Sequence, residues 1–227
     1  ALLPEYAVEA LLAWDAGANP EDSVIVGRVA ANVTGANRLL IGFGWSAVAL
    51  MSWLRIRKQL EIGNSLRLEL SVLTIATILS FLLFFMGEAS IFLGGVLIVI
   101  YAAYLIASSR SQHEEPDLHG PAAVIGSLDF KLRRLSIIGL FVFSAGVIIA
   151  VVEPFIESLI FTGQRFGVSD FLLIQWLAPL ASESPEILIA VLLALRGNAL
   201  AGLTVVVSAE VSQLTILIAS MPIIFSL

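Results

Sequence analysis

Pro4-Glu5, followed after five residues by Leu11-Leu12-Ala13, and Ala181-Ser182-Glu183-Ser184-Pro185-Glu186, followed at the same spacing by Leu192-Leu193-Ala194, stand near opposite ends of the chain. Each sets a proline and a carboxylate inside a strongly apolar segment. A carboxylate at membrane depth costs roughly 2.5–3.5 kcal/mol on insertion scales. Two such placements in matching frames point to one shared polar site.

The surroundings of both strings are those of a membrane protein. Hydrophobic residues make up 59% of the chain and charged residues 13%, with a mean hydropathy of +0.99; soluble domains hold about 45–50% apolar residues. The apolar runs reach about 20 residues, enough to cross a hydrocarbon core as helix. They lack the ten-residue alternation of outer-membrane barrels. The fold class expected is all-α, a polytopic transmembrane helical bundle. With no cysteine there is no disulfide and no thiolate metal site. The net charge of −6 does not describe a soluble acidic surface, because several carboxylates fall within the spans.

Seven hydrophobic segments are read, at about residues 1–14, 24–53, 68–87, 89–108, 135–160, 171–195 and 199–227. The second and last are long for one straight helix, so tilt, a kink or a partly non-helical stretch is expected. The chain opens at Ala1 and closes at Leu227 inside apolar segments, which reads as part of a longer protein. Loops after the second, fourth and sixth segments carry nine basic residues: Arg55, Arg57, Lys58, Arg67, Arg110, Lys131, Arg133, Arg134 and Arg196. The opposite loops carry Arg165 alone, with acidic Asp15, Glu21, Glu88 and Asp170 nearby. By the positive-inside rule the basic loops are cytoplasmic. Trp14, Trp45, Trp53 and Trp176 read as interface anchors or packing.

The main polar connection divides the chain into a first half (1–108), a cytoplasmic connecting loop (109–132) and a second half (133–227). The loop holds His113 and His119, which read as solvated linker rather than as a metal site. The first segment runs from inside to outside and the sixth from outside to inside. Like sequences therefore cross the membrane in opposite senses, the mark of an inverted-topology repeat of the kind that builds mid-membrane sites in secondary transporters.

Within the second string, Pro185 cannot donate a backbone hydrogen bond and its ring crowds the carbonyl of Ala181. A carbonyl released there can serve a cation. Glu183 and Glu186 are spaced i, i+3 and share a face, with hydroxyl oxygens from Ser182 and Ser184. Hard cations such as Ca²⁺ take six to eight oxygens of this kind. In the first string Glu5 and Glu9, at i, i+4, make a similar face. The helix after each string has a polar midsection: Ala30 through Asn37 in the first half, Val207 through Gln213 in the second. Asn37, Glu210 and Gln213 bring oxygen-bearing groups into a low-dielectric interior. Glu153 and Glu157, toward the outer end of the fifth segment, read as carboxylates reaching water.

These residues resemble the α-repeats of the calcium/cation antiporter superfamily, which includes the sodium/calcium exchangers. Each repeat of that family reads approximately Thr-Ser-x-Pro-Glu on one helix and Gly-Ser-Asn-x-x-Asn on the next. The counterparts here are Ala181 through Glu186 with Ser208-Ala209-Glu210-Val211-Ser212-Gln213, and Leu3-Pro4-Glu5 with Asn32-Val33-Thr34-Gly35-Ala36-Asn37. The resemblance implies ten helices in two inverted halves, of which the seven segments are the second through eighth. It implies calcium-coordinating glutamates at Glu5 and Glu186, and further site positions at Ser182, Glu183, Asn37, Glu210 and Gln213. The chain departs from the pattern by gaining carboxylates at Glu183 and Glu210 and losing hydroxyls at Ala36 and Ala209, positions associated with sodium. Arg38, beside Asn37, is positioned as a fixed counter-ion to Glu183 or Glu210. Clustered carboxylates can also bind protons during transport, so sodium and proton coupling both stay open, as does loss of transport.

The function this implies is secondary antiport of Ca²⁺ or a related cation against Na⁺ or H⁺, by alternating access. No cofactor is expected beyond the transported cations. The partners are small inorganic cations and membrane lipid, not nucleic acid, and the oligomeric state is open. A cation channel and an intramembrane enzyme are the competitors. The enzyme is disfavoured by the lack of a His-Glu-x-x-His string, of Gly-x-Ser-x-Gly and of histidine within any span. The short connecting loop points to a prokaryotic inner membrane.

Overall fold

Helix is the only regular structure among the described residues, as long apolar runs require where backbone groups cannot turn to water. The structure, a computed structural model, describes residues 3–57, 60–86, 91–110 and 120–225. In chain order the helices are α1 (Leu3–Ala18), α2 (Ser23–Arg38), α3 (Ser46–Ile56), α4 (Arg67–Met86), α5 (Ile91–Arg110), α6 (Pro121–Gly126), α7 (Phe130–Phe166), α8 (Asp170–Leu195), α9 (Ala199–Ser212) and α10 (Ile218–Phe225). Five spans among the described residues are long and apolar enough to cross a membrane: Ser23–Ile56, α5, α7, α8 and Ala199–Phe225. The protein is an integral, multi-pass membrane protein. His113 and His119 lie outside the described residues.

Local chemistry sets where these helices begin and turn. Asp22 caps α2, its Oδ1 accepting from the amides of Val24 and Ile25 at 2.9 and 3.3 Å. Ser169 caps α8 by accepting from Leu172, and Asn198 caps α9 by accepting from Ala201 at 3.1 Å. Gly167 (φ 67°) ends α7, and Gly197 (φ 94°) makes the tight turn from α8 to α9. Both positions require the left-handed backbone that glycine adopts without strain.

The two segments expected to be irregular are each one long helix containing a π-helical stretch. Leu39–Trp45 joins α2 to α3, and Gln213–Leu217 joins α9 to α10. When the repeats are aligned on Asn37 and Glu210, Gln213 and Leu217 fall opposite Leu40 and Gly44. The wide turns thus occupy the same place in both repeats, and each inserts an extra residue that re-aims everything after it.

The prolines of α8 do not break it. The helix runs unbroken from Asp170 to Leu195 with Pro179 and Pro185 inside. The Ser184 hydroxyl donates to the Leu180 carbonyl, and Ser182 donates to that of Pro179 at 3.4 Å, so side chains supply hydrogen bonds around the interrupted ladder. Pro179 leaves the carbonyl of Gln175 without its helical donor, and bare Gly35 of α2 closes against that carbonyl.

Helix α8 is central. It packs against α1, α2, α3, α7 and α9, with α4 and α5 against the α9–α10 span. Buried apolar side chains form one cluster around Leu40, Val48, Leu73, Leu203 and Val206, and another around Val8, Leu12, Ile156 and Ile174. The acidic strings lie where these clusters meet α8. Helix α7 is peripheral, presenting Leu135, Phe141, Phe143 and Ile149 to the outside, as suits a lipid-facing surface.

The Gly35 contact makes a specific demand. Replacing Gly35 with Val should drive a side chain into backbone that cannot move cheaply, costing about 1–3 kcal/mol. Gly146→Ala on α7, which meets nothing within 4 Å, should leave stability unchanged or slightly raised. Thermal unfolding of the purified proteins in detergent measures both.

Candidate cation site

Five of the acidic and amide side chains singled out above are almost wholly buried: Glu210 is 0% exposed, Gln213 1%, Glu5 and Glu183 2% and Glu186 3%. They come from α1, α8, α9 and the first residue of the second π turn. Gln213 Nε2 donates to Glu183 Oε1 at 2.7 Å. The Glu5 side chain meets both Glu183 and Gln213, so the first repeat touches the second here. Glu186 and Glu210 lie near enough to Glu183 to act on its charge, and Glu9 lies likewise near Glu5. Glu5 and Glu186 therefore belong to one neighbourhood, linked through Glu183.

The donor set is oxygen throughout. One oxygen each of Glu5 and Glu186, both of Glu210 and the Gln213 carbonyl are buried without a protein hydrogen-bond partner. A buried charge left in that condition is costly unless a cation or a proton neutralises it. Carboxylate and amide oxygens are the ligands hard cations prefer. Among the described residues no three carboxylates converge tightly enough to form a ready-made metal cage. A bound ion would draw its remaining oxygens from carbonyls, hydroxyls and water.

Other expected members stand differently. Ser182 is buried beside Glu183, its hydroxyl proton engaged by the Pro179 carbonyl and its oxygen still able to act as a ligand. Ser184, expected to add an oxygen, is exposed and bonded back to its own helix, because it lies on the opposite face from Glu183 and Glu186. Asn37 is half-buried with an unpartnered Oδ1, and no hydrogen bond joins it to the carboxylates among the described residues. Arg38 is not the counter-ion anticipated for Glu183 or Glu210. It is exposed, with its guanidinium over the Trp176 ring at 5.6 Å from the centroid. One residue's step around a helix is enough to carry it away from the buried face. Glu153 and Glu157 are exposed on α7.

Sequence reading missed the pairings. Asn32 Nδ2 donates to Glu9 Oε2 at 2.6 Å in the interior. Gln175 donates to Thr34 Oγ1 at 3.2 Å across the α2–α8 seam. Arg28 and Asp170 form an ion pair at 2.5 Å between the outer ends of the same helices. It is the one salt bridge among the described residues. On the other side Tyr104 donates to Ser208 at 3.1 Å and Ser212 to Tyr101 at 3.5 Å. The polar character of these positions was visible beforehand, but which would meet was not.

Comparison with known proteins follows the same lines. The family model described as "Sodium/calcium exchanger protein" matches residues 2–110. A solved structure titled "Crystal Structure of H+/Ca2+ Exchanger CAX" superposes with a TM-score of 0.94 at 40% sequence identity, covering 100% of this chain and 57% of that one. The chain thus spans a little over half the length of that exchanger. No curated protein matches significantly.

Two substitutions probe this geometry. Gln213→Leu removes the donor to buried Glu183 and should cost about 1–3 kcal/mol of stability in the absence of divalent cation. Arg38→Gln, which alters only an exposed stacking contact, should change the melting temperature and its response to Ca²⁺ little. Melting curves with and without Ca²⁺ report on both.

Proposed function

We propose that the chain is a member of the calcium/cation antiporter superfamily and forms the transport core of a secondary antiporter exchanging Ca²⁺ for protons. The observation that carries this reading is a set of buried carboxylates with no basic side chain paired to any of them among the described residues. Electroneutrality in a low-dielectric interior then depends on mobile charge, either a divalent cation or protons. Two species that neutralise the same oxygens compete for them, and competition at one site is what obligate exchange requires.

Glu5 from the first repeat and Glu186 from the second are the principal cation ligands in this proposal. Glu183 and Glu210 hold protons when Ca²⁺ leaves, Gln213 positions Glu183, and Ser182 and Asn37 supply further oxygens. Residues 1–108 and 133–227 act as the inverted halves, joined through 109–132, and exposure alternates as helices slide around the site. Proton coupling is preferred to sodium coupling because Ala36 and Ala209 replace hydroxyls while Glu183 and Glu210 add carboxylates. The matching exchanger, titled as an H⁺/Ca²⁺ protein, supports the same choice. The short connection between halves favours a prokaryotic inner membrane. No covalent chemistry is needed, so the reading is of a transporter and not an enzyme.

Calcium uptake into proteoliposomes should follow an imposed proton gradient and be little affected by a sodium gradient. Uptake driven by voltage alone would instead identify a channel. Glu186→Gln should abolish uptake and the thermal stabilisation by Ca²⁺. Because protons compete for the carboxylates, apparent Ca²⁺ affinity should fall as pH is lowered, and Glu210→Asn should make that fall shallower.

A further inference from the structure

We propose that Glu9 and Asn32 form an accessory cation site on the non-cytoplasmic side of the central carboxylates, where the transported divalent cation pauses on its way to or from them. This rests on the exchanger reading above.

Helix α1 places Glu9 one turn beyond Glu5, toward the connection at residues 19–22. Helix α2, running back from that connection, places Asn32 more than a turn before Asn37. The two residues meet between the helices, with Asn32 Nδ2 donating to Glu9 Oε2 at 2.6 Å. Loop charge assigns that end to the non-cytoplasmic face. Farther out, four residues before Asn32 on the same face of α2, Arg28 pairs with Asp170 of α8. Polar groups are therefore stacked in order from the outer end: Arg28 with Asp170, Asn32 with Glu9, then Glu5 with Glu183 and Gln213.

Glu9 and Asn32 are each 1% exposed, yet Glu9 Oε1 and Asn32 Oδ1 have no protein hydrogen-bond partner, and neither does Glu5 Oε1 one turn inward. All three are hard oxygen acceptors. Since Asn32 gives its amide proton to one Glu9 oxygen, its own carbonyl oxygen and the second Glu9 oxygen are left for a cation or a hydrogen-bond donor, and the carboxylate's charge favours the cation. Two or three protein oxygens fall well short of the six to eight that a fully dehydrated Ca²⁺ takes. The ion would keep part of its water here, so the site binds weakly enough to release it inward.

Repeat symmetry sharpens the case. Aligning Glu5 with Glu186 sets Glu9 opposite Ala190, and aligning Asn37 with Glu210 sets Asn32 opposite Val205. The second repeat packs the equivalent helices with apolar side chains at these two positions, so the packing here does not itself demand a polar pair. A site confined to one repeat serves one of the two access routes, and it lies on the outer one.

The test is sided. Glu9→Gln keeps an acceptor for Asn32 while removing the charge, and Asn32→Asp keeps the side chain's shape while replacing the donor to Glu9 with a second charged acceptor, which a bound divalent cation would bridge. In proteoliposomes of known orientation, Glu9→Gln should raise KM for Ca²⁺ presented from the non-cytoplasmic side about tenfold, with KM from the cytoplasmic side within about twofold of the unmodified protein. Asn32→Asp should lower the outer KM and spare the inner one, and it keeps the proposal open to refutation should Glu9→Gln fail to fold. Equal shifts on both sides, or none on either, would overturn the accessory site while leaving exchange itself intact. Failure of the unmodified protein to exchange Ca²⁺ at all would remove the exchanger reading and this site with it.

Discussion

Buried carboxylates with no basic side chain paired to them among the described residues are the constraint around which this protein is organised. Glu5, Glu9, Glu183, Glu186 and Glu210 lie in the interior of a bundle whose outer surface is apolar. The single ion pair among the described residues, Arg28 with Asp170, stands at the outer ends of α2 and α8 and touches none of them. A structural protein would place arginine or lysine beside such groups, because an unpaired buried charge is among the costliest features a fold can carry. In the exchanger proposed above, a permanent cation would occupy the place of the cargo.

The scaffold bears this load through specific local features. Helix α8 keeps its continuity through two prolines, and Ser182 and Ser184 return hydrogen bonds to their own turns beside them. Glycine at position 35 lets α2 approach α8 at the carbonyl that Pro179 leaves unbonded. The π turns after Asn37 and at Gln213 fall in matching frames of the repeats, so the inverted symmetry extends from the Pro-Glu strings into the backbone of the following helices. At Gln213 the wide turn begins on the very residue that donates to Glu183, which ties backbone irregularity to the polar cluster.

Symmetry is incomplete in an informative way. The Pro-Glu pairs and the π turns are shared by both repeats, but the additional carboxylates are not. Glu183 and Glu210 belong to the second repeat and Glu9 to the first. Glu183 joins the halves by meeting Glu5, while Glu9 is drawn toward Asn32 on the outer side. The buried polar groups are thus distributed unevenly about the centre.

Sequence alone was enough for the helices, their alternating directions, the membrane setting and most of the polar residues that the fold buries. All of these follow from local facts: run length, loop charge, and the expense of a carboxylate among apolar neighbours. Rotation about each helix axis was beyond its reach. Asn37 and Arg38 are adjacent in the chain, yet Arg38 turned outward to Trp176, and Ser184 turned away from its neighbours Glu183 and Glu186. Partners such as Asn32 for Glu9 and Gln213 for Glu183 depend on interhelical distance and on wide turns that shift the phase of a helix partway along. Only packing in three dimensions selects those contacts, because the energy that decides between neighbouring faces comes from the other helices and not from the residue's own segment.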